Sequence, residues 1–382
     1  MEAVAPFQDA IDIIKEEGGD IAKMCYQCGL CTGTCPWNLV RSFLVRKAMH
    51  QAQLGLPDFE DEDMWLCVTC NACVSRCPRG VKIIDVWRSF RRAITEMGIG
   101  GIPDSLRITE KNISSVGNPQ GEDRENRTEW AKDLDVKTHT KGTDVLYVAC
   151  CYNSYDPQLT PLARATVEIL KKAKVDFGIL GNELSCCGES IRKAGAESVF
   201  QSLAQSNIAL FNEAGVTKIV AASPHCFHTF KNEYPELEGK YEVMHTTQFL
   251  AELIREGKLE FKKELKKTIT YHDSCYLGRH NEVYNEPREV LEAIPGVKLV
   301  EMANHHEDSL CCGGGGGRIW EETKKGERFS DIRLEQALDA GADVMAAVCP
   351  YCLANFKDSV TTANKEEEIE VKDIAELVLE AL

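Results

Sequence analysis

Eighteen cysteines carry most of the chemistry that this 382-residue chain offers. Eight of them form two runs of the same spacing, Cys25-x2-Cys28-x2-Cys31-x3-Cys35-Pro36 and Cys67-x2-Cys70-x2-Cys73-x3-Cys77-Pro78. Two-residue gaps let successive thiolates wrap one corner of a [4Fe–4S] cubane, and this is the ligand spacing of bacterial iron–sulfur proteins. The runs predict two cubanes in the N-terminal third. Structural zinc is the weaker alternative, because zinc ribbons rarely use three cysteines so spaced.

The fourth cysteine of each run is predicted to serve the other cluster. In two-cluster ferredoxins the ligation is crossed in this way. The expected ligands of one cubane are Cys25, Cys28, Cys31 and Cys77, and those of the other are Cys67, Cys70, Cys73 and Cys35. The 31 residues between the runs are too many for a compact hairpin and include apolar residues at helical spacing. They favour a helical ferredoxin-like domain.

Nine of the other ten cysteines form a pattern that occurs twice. Cys151, Cys186-Cys187-Gly188 and Ser223-Pro224-His225-Cys226 make the first copy, and Cys275, Cys311-Cys312-Gly313 and Cys349-Pro350-Tyr351-Cys352 make the second. The offset is 124 residues at the single cysteine, 125 at the pair and 126 at the last cysteine. A nearly constant offset indicates duplication. Neighbouring cysteines form a strained disulfide ring but suit a metal cluster.

Short apolar segments and amphipathic segments alternate from Asp144 onward, and they must position these cysteines. The predicted strands are Val145–Ala149, Val175–Leu180, Lys218–Ala222, Thr268–Tyr271, Lys298–Met302 and Val344–Val348. The predicted helices between them are Thr160–Lys172, Ala196–Glu213, Thr247–Glu256, Pro287–Ile294 and Ile332–Ala340. This alternation predicts an α/β fold with a mostly parallel sheet, whose strand ends carry the cysteines.

The predicted domains follow from these patterns. They are a helical ferredoxin-like domain at 1–97, a linker at 98–142, a first α/β cysteine-rich unit at 143–260 and a second at 261–382. The linker is rich in glycine, proline and charge. In the N-terminal domain we expect helices at Asp9–Glu17 and Val81–Met97.

The duplicated Cys…Cys-Cys-Gly…Cys-x2-Cys pattern behind two ferredoxin runs resembles the cysteine-rich CCG-domain proteins. These include the catalytic subunits of heterodisulfide reductases and the iron–sulfur subunits of lactate, glycolate and quinone-linked oxidoreductases. The resemblance extends from about Cys25 to Cys352. It implies that each complete motif holds a noncubane [4Fe–4S] cluster at which a disulfide is split. The second copy has the full set, Cys275, Cys311, Cys312, Cys349 and Cys352, which are its expected cluster ligands and catalytic residues.

The first copy departs from this pattern at Ser223. It retains Cys151, Cys186, Cys187 and Cys226, which suit zinc or an altered iron–sulfur cluster. Cys150 is either a replacement ligand or a packed thiol. On this count we expect the two copies to be inequivalent, with a five-cysteine site in the second copy alone. His272 and Asp273, just before Cys275, are the better candidates for tuning a cluster by hydrogen bonds.

Composition narrows the classes of function. The net charge of -16 disfavours nucleic acid and anionic membranes as partners, since clustered Lys and Arg carry phosphate affinity. No basic segment followed by an apolar one begins the sequence, and no run of about 18 apolar residues occurs. We therefore expect a cytoplasmic protein, peripheral at a membrane only through a partner.

Three functions remain open. The leading one is a heterodisulfide-reductase-type subunit that relays single electrons through two cubanes to a noncubane cluster in the second copy. The second is an electron-transfer adaptor between a flavoprotein or quinone-linked membrane subunit and a partner enzyme. The third is a structural zinc module. No dinucleotide fingerprint is present, because the glycine run at 313–317 lacks its strand context. Partner subunits must then supply two-electron chemistry.

Overall fold

The computed structural model describes residues 5–6, 8–16 and 19–382, which form two compact units. Unit 1 comprises Met1–Glu110, Glu189–Phe200 and Gly313–Phe329. Unit 2 comprises Lys111–Gly188, Gln201–Cys312 and Ser330–Leu382. The later segments of unit 1 thus begin directly after, or one residue after, the two cysteine pairs. The domain limits at 97, 142 and 260 stay a prediction.

Helices build the N-terminal part of unit 1. They are α1 Gln8–Glu16, α2 Leu30–Thr34, α3 Val45–Leu54, α4 Ala72–Ser75, α5 Ile83–Met97 and α6 Asp104–Val116, of which the last continues past the unit boundary. The helices predicted at Asp9–Glu17 and Val81–Met97 agree with α1 and α5, although Glu17 lies outside the described residues. An aromatic core holds the helices together. Trp87 contacts Phe43 and Phe90, with ring centroids 5.7 and 6.0 Å apart.

Arg91 of α5 is a buried cation that joins three stretches of unit 1. The residue is only 1% exposed, and a guanidinium offers five N–H donors. It donates to the carbonyls of Met64 and Cys67 at 2.9 Å, Lys193 at 3.1 Å and Gly316 at 2.9 Å. One side chain therefore fixes the second ferredoxin run and both segments that follow the cysteine pairs.

The glycine run at 313–317 has a packing role in unit 1. A Cβ atom at Gly315 would lie 2.3 Å from the carbonyl oxygen of Val68, and one at Gly316 would lie 2.3 Å from that of Cys67. Real Cβ contacts do not reach such distances, so only glycine allows this approach. The run is a close backbone contact with the second ferredoxin run, and a plain flexible loop does not describe it.

Unit 2 contains two four-stranded parallel sheets, one for each cysteine-rich copy. The strands are β1 Val145–Val148, β2 Phe177–Gly178, β3 Lys218–Ala221, β4 Glu242–His245, β5 Thr268–Tyr271, β6 Lys298–Val300, β7 Val344–Ala347 and β8 Glu370–Asp373. Their orders are β2-β1-β3-β4 and β6-β5-β7-β8, and every pairing between them is parallel. The predicted α/β class and duplication are confirmed.

The sheet order explains where the cysteines gather. In each sheet the chain leaves the central pair of strands in opposite directions, and such a switch point opens a crevice at the carboxyl ends. Cys151 follows β1 and Ser223 follows β3, while Cys275 follows β5 and Cys349 follows β7. The edge strands β4 and β8 were absent from the prediction. Both are only part-buried, so their sequences lack a continuous apolar run.

Helices cover the sheets and repeat their contacts between the copies. They are α7 Cys151–Tyr155, α8 Thr160–Lys172, α10 Glu197–Glu213, α11 Pro224–His228, α12 Thr246–Arg255, α13 Asn285–Ala293, α14 Phe329–Asp339, α15 Pro350–Thr362 and α16 Ile374–Ala381. The short helix α9 Glu189–Lys193 and the first residues of α10 belong to unit 1. Helix α8 packs on α16, and the corresponding pair α13 and α12 packs likewise. The copies are thus related by an approximate twofold arrangement. Among the described residues, no helix has the length and apolarity to cross a bilayer.

We expect Arg91→Met to lower the stability of unit 1 by about 2–4 kcal/mol, because it leaves buried carbonyls without donors. Thermal unfolding of the cluster-loaded chain measures the change. Arg92→Met on the same helix is the matched control, since Arg92 forms a part-exposed ion pair with Glu96. Such pairs contribute about 0–1 kcal/mol. Equal effects of the two substitutions would contradict the joining role of Arg91.

Candidate metal centres

The two ferredoxin runs share one backbone geometry. In the first run Gln27 and Gly29 have positive φ values of 62° and 82°, and in the second run Thr69 and Asn71 have values of 50° and 67°. These residues flank the second cysteine of each run and turn successive backbone N–H groups inward. The N–H of Gln27 donates to Cys25 Sγ at 3.4 Å. Such concave arrays of N–H groups suit an anionic cluster.

Cys35 belongs spatially with the second run. Its thiol interacts most with that of Cys70, then with those of Cys67 and Cys31, and the thiol of Cys73 interacts with those of Cys67, Cys70, Cys35 and Cys31. Cys31 faces Cys25 and Cys28 of its own run. The position of Cys35 is the one that crossed ligation requires, and the ligation itself stays a prediction.

The thiols of the ferredoxin runs are better suited to bind a metal cluster than to ionise in contact with water. Burial raises the pKa of Cys67 to about 11, although nearby Arg91 works in the opposite direction. Burial also raises the pKa of Cys73 and Cys35, and neighbouring thiols add to the rise. A buried group of thiolates needs positive charge beside it. Iron ions supply that charge, so the donor set fits the predicted cubanes.

The five cysteines of the second copy are all buried, at 7% exposure or less. Cys352 Sγ lies 3.2 Å from Cys312 Sγ and 3.6 Å from Ser274 Oγ. Cys349 occupies the N-cap position of α15 without a side-chain cap, and Cys352 lies in its first turn. A helix N-terminus carries partial positive charge, which stabilises thiolates. Strand ends and one helix start therefore bring together the thiols of Cys312, Cys349 and Cys352 from two loops, with the Ser274 hydroxyl from a third.

His272 lies beside this thiol group with a defined tautomer. One of its ring nitrogens and the sulfurs of Cys312 and Cys352 lie within 4.8 Å of one another. Nδ1 of His272 accepts from Nε of Arg333 at 3.2 Å. A guanidinium only donates, so Nδ1 has no proton and the proton lies on Nε2. Burial and Arg333 lower the pKa of His272 to about 3, so the ring is neutral.

This tautomer decides what His272 can do. Nε2 is buried and has no hydrogen-bond partner among the described residues. With its proton in place, Nε2 is available to donate to a sulfur of a bound cluster and is not a metal ligand. Arg333 is fully buried and was missed by sequence reasoning, which had no signal to separate it from a surface arginine of α14.

Asp273, the other candidate beside the second copy, stabilises a loop together with Arg279. Asp273 accepts two N–H groups of Arg288, at 2.7 and 2.8 Å, and the N–H of His306 at 2.7 Å. These contacts lower its pKa against the effect of burial. Arg279 donates to the carbonyls of Glu307 and Ser309. Asp273 and Arg279 thus anchor the loop before the Cys311 pair.

The cysteines of the first copy also come together. Cys151 contacts Cys186, Cys186 contacts Cys187, and Cys187 contacts Cys226. Cys150 joins them through a contact with Cys226. A positive charge lies beside the group, because the buried Arg127 guanidinium is 3.5 Å from Cys151 Sγ.

Aromatic side chains of one copy pack against those of the other copy in unit 2. Tyr152 of the first copy packs on Tyr351 of the second at 4.9 Å, and the equivalent pair, Tyr276 and His225, packs at 4.1 Å. His225 also hydrogen-bonds Cys349 of the opposite copy. Burial raises the pKa of Cys349, but hydrogen bonds from Cys352 and His225 outweigh it and bring the value to about 6.

Comparisons with known families match the two parts of the chain. The cysteine-rich (CCG) domain model matches residues 145–231 and 269–357, and a 4Fe-4S dicluster domain model matches residues 21–81. Together with the thiol groups, these matches define an iron–sulfur protein that combines a dicluster domain with a duplicated cysteine-rich domain. A solved structure of a hypothetical protein from Helicobacter pylori gives a TM-score of 0.48 at 11% identity, covering 88% of this chain and 66% of that one.

The relatives identify the family. A dihydromethanophenazine:CoB–CoM heterodisulfide reductase polypeptide of Methanosarcina barkeri is 37% identical, over 94% of this chain and 93% of its own length. The chain belongs to this family of heterodisulfide reductase polypeptides. A probable iron–sulfur-binding oxidoreductase, FadF, of Bacillus subtilis is 39% identical, and the EtfAB:quinone oxidoreductase of Syntrophomonas wolfei is 38% identical. Both matches cover 84% of this chain but only 47% of those relatives, so the chain spans about half their length.

We expect His272→Phe to lower the reduction potential of a cluster at the second copy, because an N–H donor to sulfur favours the more anionic, reduced form. One hydrogen bond of ~1.4 kcal/mol corresponds to about 60 mV for one electron. Phenylalanine keeps the edge contact that the His272 ring makes with Phe356. A redox titration followed by electron paramagnetic resonance measures the shift.

The control is His305→Phe, since His305 is exposed in the same copy. That variant should leave the potential unchanged. An unchanged potential in His272→Phe, or loss of the metal from it, would contradict the donor role.

Proposed function

We propose that this chain is the disulfide-reducing subunit of a heterodisulfide-reductase-type complex. Electrons pass singly through two cubanes to a noncubane [4Fe–4S] cluster held by Cys275, Cys311, Cys312, Cys349 and Cys352. The observation that carries the proposal is the buried thiol group of the second copy, with Cys352 and Cys312 sulfurs 3.2 Å apart. Bound there, a cluster supplies one-electron steps and an iron that accepts a substrate sulfur.

The reaction consumes two electrons and two protons for each disulfide. The S–S bond breaks, each sulfur gains one electron and one proton, and two thiols leave. Because electrons would arrive singly, the site would have to retain one substrate sulfur between the two steps. The N–H of His272, fixed by Arg333, would stabilise negative charge on the sulfurs there.

The glycine run supports a relay from the ferredoxin runs to the second copy. Gly316 lies against the carbonyl of Cys67, and Arg91 donates to the carbonyls of both residues. Cys312 is only four residues from Gly316 along the chain. Along the chain, the segment of unit 1 that contacts the second ferredoxin run therefore follows directly after the cysteine pair of the second copy.

Partner subunits complete the proposed activity. One-electron clusters need a donor that handles electron pairs, and the relatives include a heterodisulfide reductase polypeptide and a quinone oxidoreductase named for EtfAB. We propose a flavoprotein as the donor or, in its place, a quinone-linked membrane subunit. Cys28 is exposed, which supports electron entry at the first run.

A pure electron-transfer adaptor is the second candidate. The specific observation in its favour is burial, since every cysteine of the second copy is at most 7% exposed. An electron can reach a buried cluster through the protein, whereas a disulfide substrate needs an opening to reach it. A structural zinc module is the remaining alternative, and metal analysis separates it from both.

We expect Cys312→Ala to abolish disulfide reduction, with a loss of at least about 100-fold, while both cubanes remain. Reduced methyl viologen serves as donor to the anaerobically purified chain, and electron paramagnetic resonance follows the cubanes. Wild-type chain that accepts electrons but reduces no disulfide supports the adaptor. Full activity in Cys312→Ala would contradict the proposed catalytic site.

Crossed ligation is tested with two matched variants in a Cys28→Ala background, in which the first cubane is already lost. Cys77→Ser should then remove no further iron, because Cys77 is assigned to that same cluster. Cys35→Ser should remove the second cubane as well, about four iron atoms per chain. Iron counting distinguishes these results, and the reverse pattern would refute the crossed assignment.

A further inference from the structure

The two copies carry serine at different points of one six-position pattern. With the offsets of 124 and 126 residues, Cys150 corresponds to Ser274, and Ser223 corresponds to Cys349. The other four positions are cysteine in both copies. The pairing of β1 with β3 and of β5 with β7 places these positions alike in the two sheets, so the correspondence is structural. Each copy therefore has five thiols and one hydroxyl, but the hydroxyl occupies a different position of the pattern in each copy.

Contacts in the first copy place the Cys150 thiol beside the position of the missing thiol. Cys150 Sγ contacts both Ser223 and Cys226. In the second copy the thiol of Cys349 contacts Cys352, the counterpart of Cys226. Both arrangements thus bring a fifth thiol to the same neighbour. The five sulfurs of the first copy form one continuous series of contacts, Cys150–Cys226–Cys187–Cys186–Cys151.

Ser223 has acquired a different role. Its hydroxyl accepts the N–H of His225 at 3.3 Å and caps helix α11. Cys349, at the same place before α15, makes no such side-chain cap. A hydroxyl engaged as a helix cap is a poor candidate for a metal ligand, which leaves the fifth position to Cys150.

The backbone at Cys150 is unfavourable for a cysteine. Its φ of 76° and ψ of 152° lie in a region that residues with a Cβ atom rarely adopt. Ser274, its counterpart, is not among the positive-φ residues of the described chain. A strained backbone persists where the side chain is needed at one place, and here it directs a thiol to Cys226.

A buried cation marks the same site. Arg127 is 5% exposed, and its guanidinium lies 3.5 Å from Cys151 Sγ. A positive charge beside a thiol favours its thiolate form, which is the form that binds a metal. The position of Arg127 therefore suits a thiolate at Cys151.

We infer that the first copy is a second complete five-thiolate site, in which Cys150 replaces the thiol lost at Ser223 and which binds an iron–sulfur cluster. The two copies then each hold a cluster. We expected from the sequence a five-cysteine site in the second copy alone. That expectation rested on four thiolates in the first copy and left out Cys150. This inference does not depend on disulfide reduction in the second copy.

The test uses Cys150→Gly in the full-length chain purified without oxygen. Glycine adopts the positive φ at no steric cost, so the fold is relieved of strain while the thiol is lost. We expect loss of one cluster, about four iron atoms per chain, and of its spectroscopic signal. Circular dichroism checks that the fold is retained.

The same change in a Cys312→Ala background separates the two sites, because the noncubane signal left there comes from the first copy. A rescue variant, Cys150→Gly with Ser223→Cys, rebuilds the arrangement of the second copy and should restore iron and signal. Unchanged iron in Cys150→Gly overturns the inference. Zinc in the first copy of the wild-type chain overturns it as well.

Discussion

The sites of this protein depend on one constraint, that parallel strands end at a common edge of their sheet. Each cysteine-rich copy takes its thiols from stretches that are 35 or more residues apart in the sequence, as from Cys151 to Cys186 or Cys275 to Cys311. The strand order places the carboxyl ends of β1 with β3, and of β5 with β7, side by side. Without that topology, no short motif of either copy would hold more than two thiols in register.

Buried arginine side chains lie close to the cysteines that the strands bring together. Arg91, Arg127 and Arg333 are each at most 5% exposed, and each faces groups close to a set of cysteines. Arg91 binds backbone carbonyls, including that of Cys67. Arg127 faces a thiol, and Arg333 fixes the proton of His272. Three guanidinium groups thus position, balance or polarise the ligand sets, and none needs to touch a substrate.

Much of this arrangement could be predicted from the sequence, because cysteine spacing is local and explicit. The runs at 25–35 and 67–77, the duplication and the buried strands β1, β3, β5 and β7 were all recognisable. The part-exposed strands β4 and β8 were not, since they lack apolar runs. Nor was the role of Cys150, because its contact with Cys226 joins residues 76 positions apart. Buried arginines give no sequence signal that distinguishes them from surface ones.

The central claim is that the duplicated cysteine-rich copies hold redox-active iron. Counting iron, zinc and acid-labile sulfide in the chain purified anaerobically tests it most directly. The account predicts iron and sulfide well above the about eight atoms each that two cubanes contain, with little zinc. Iron that stops at about eight atoms, with zinc in the cysteine-rich copies, would contradict it.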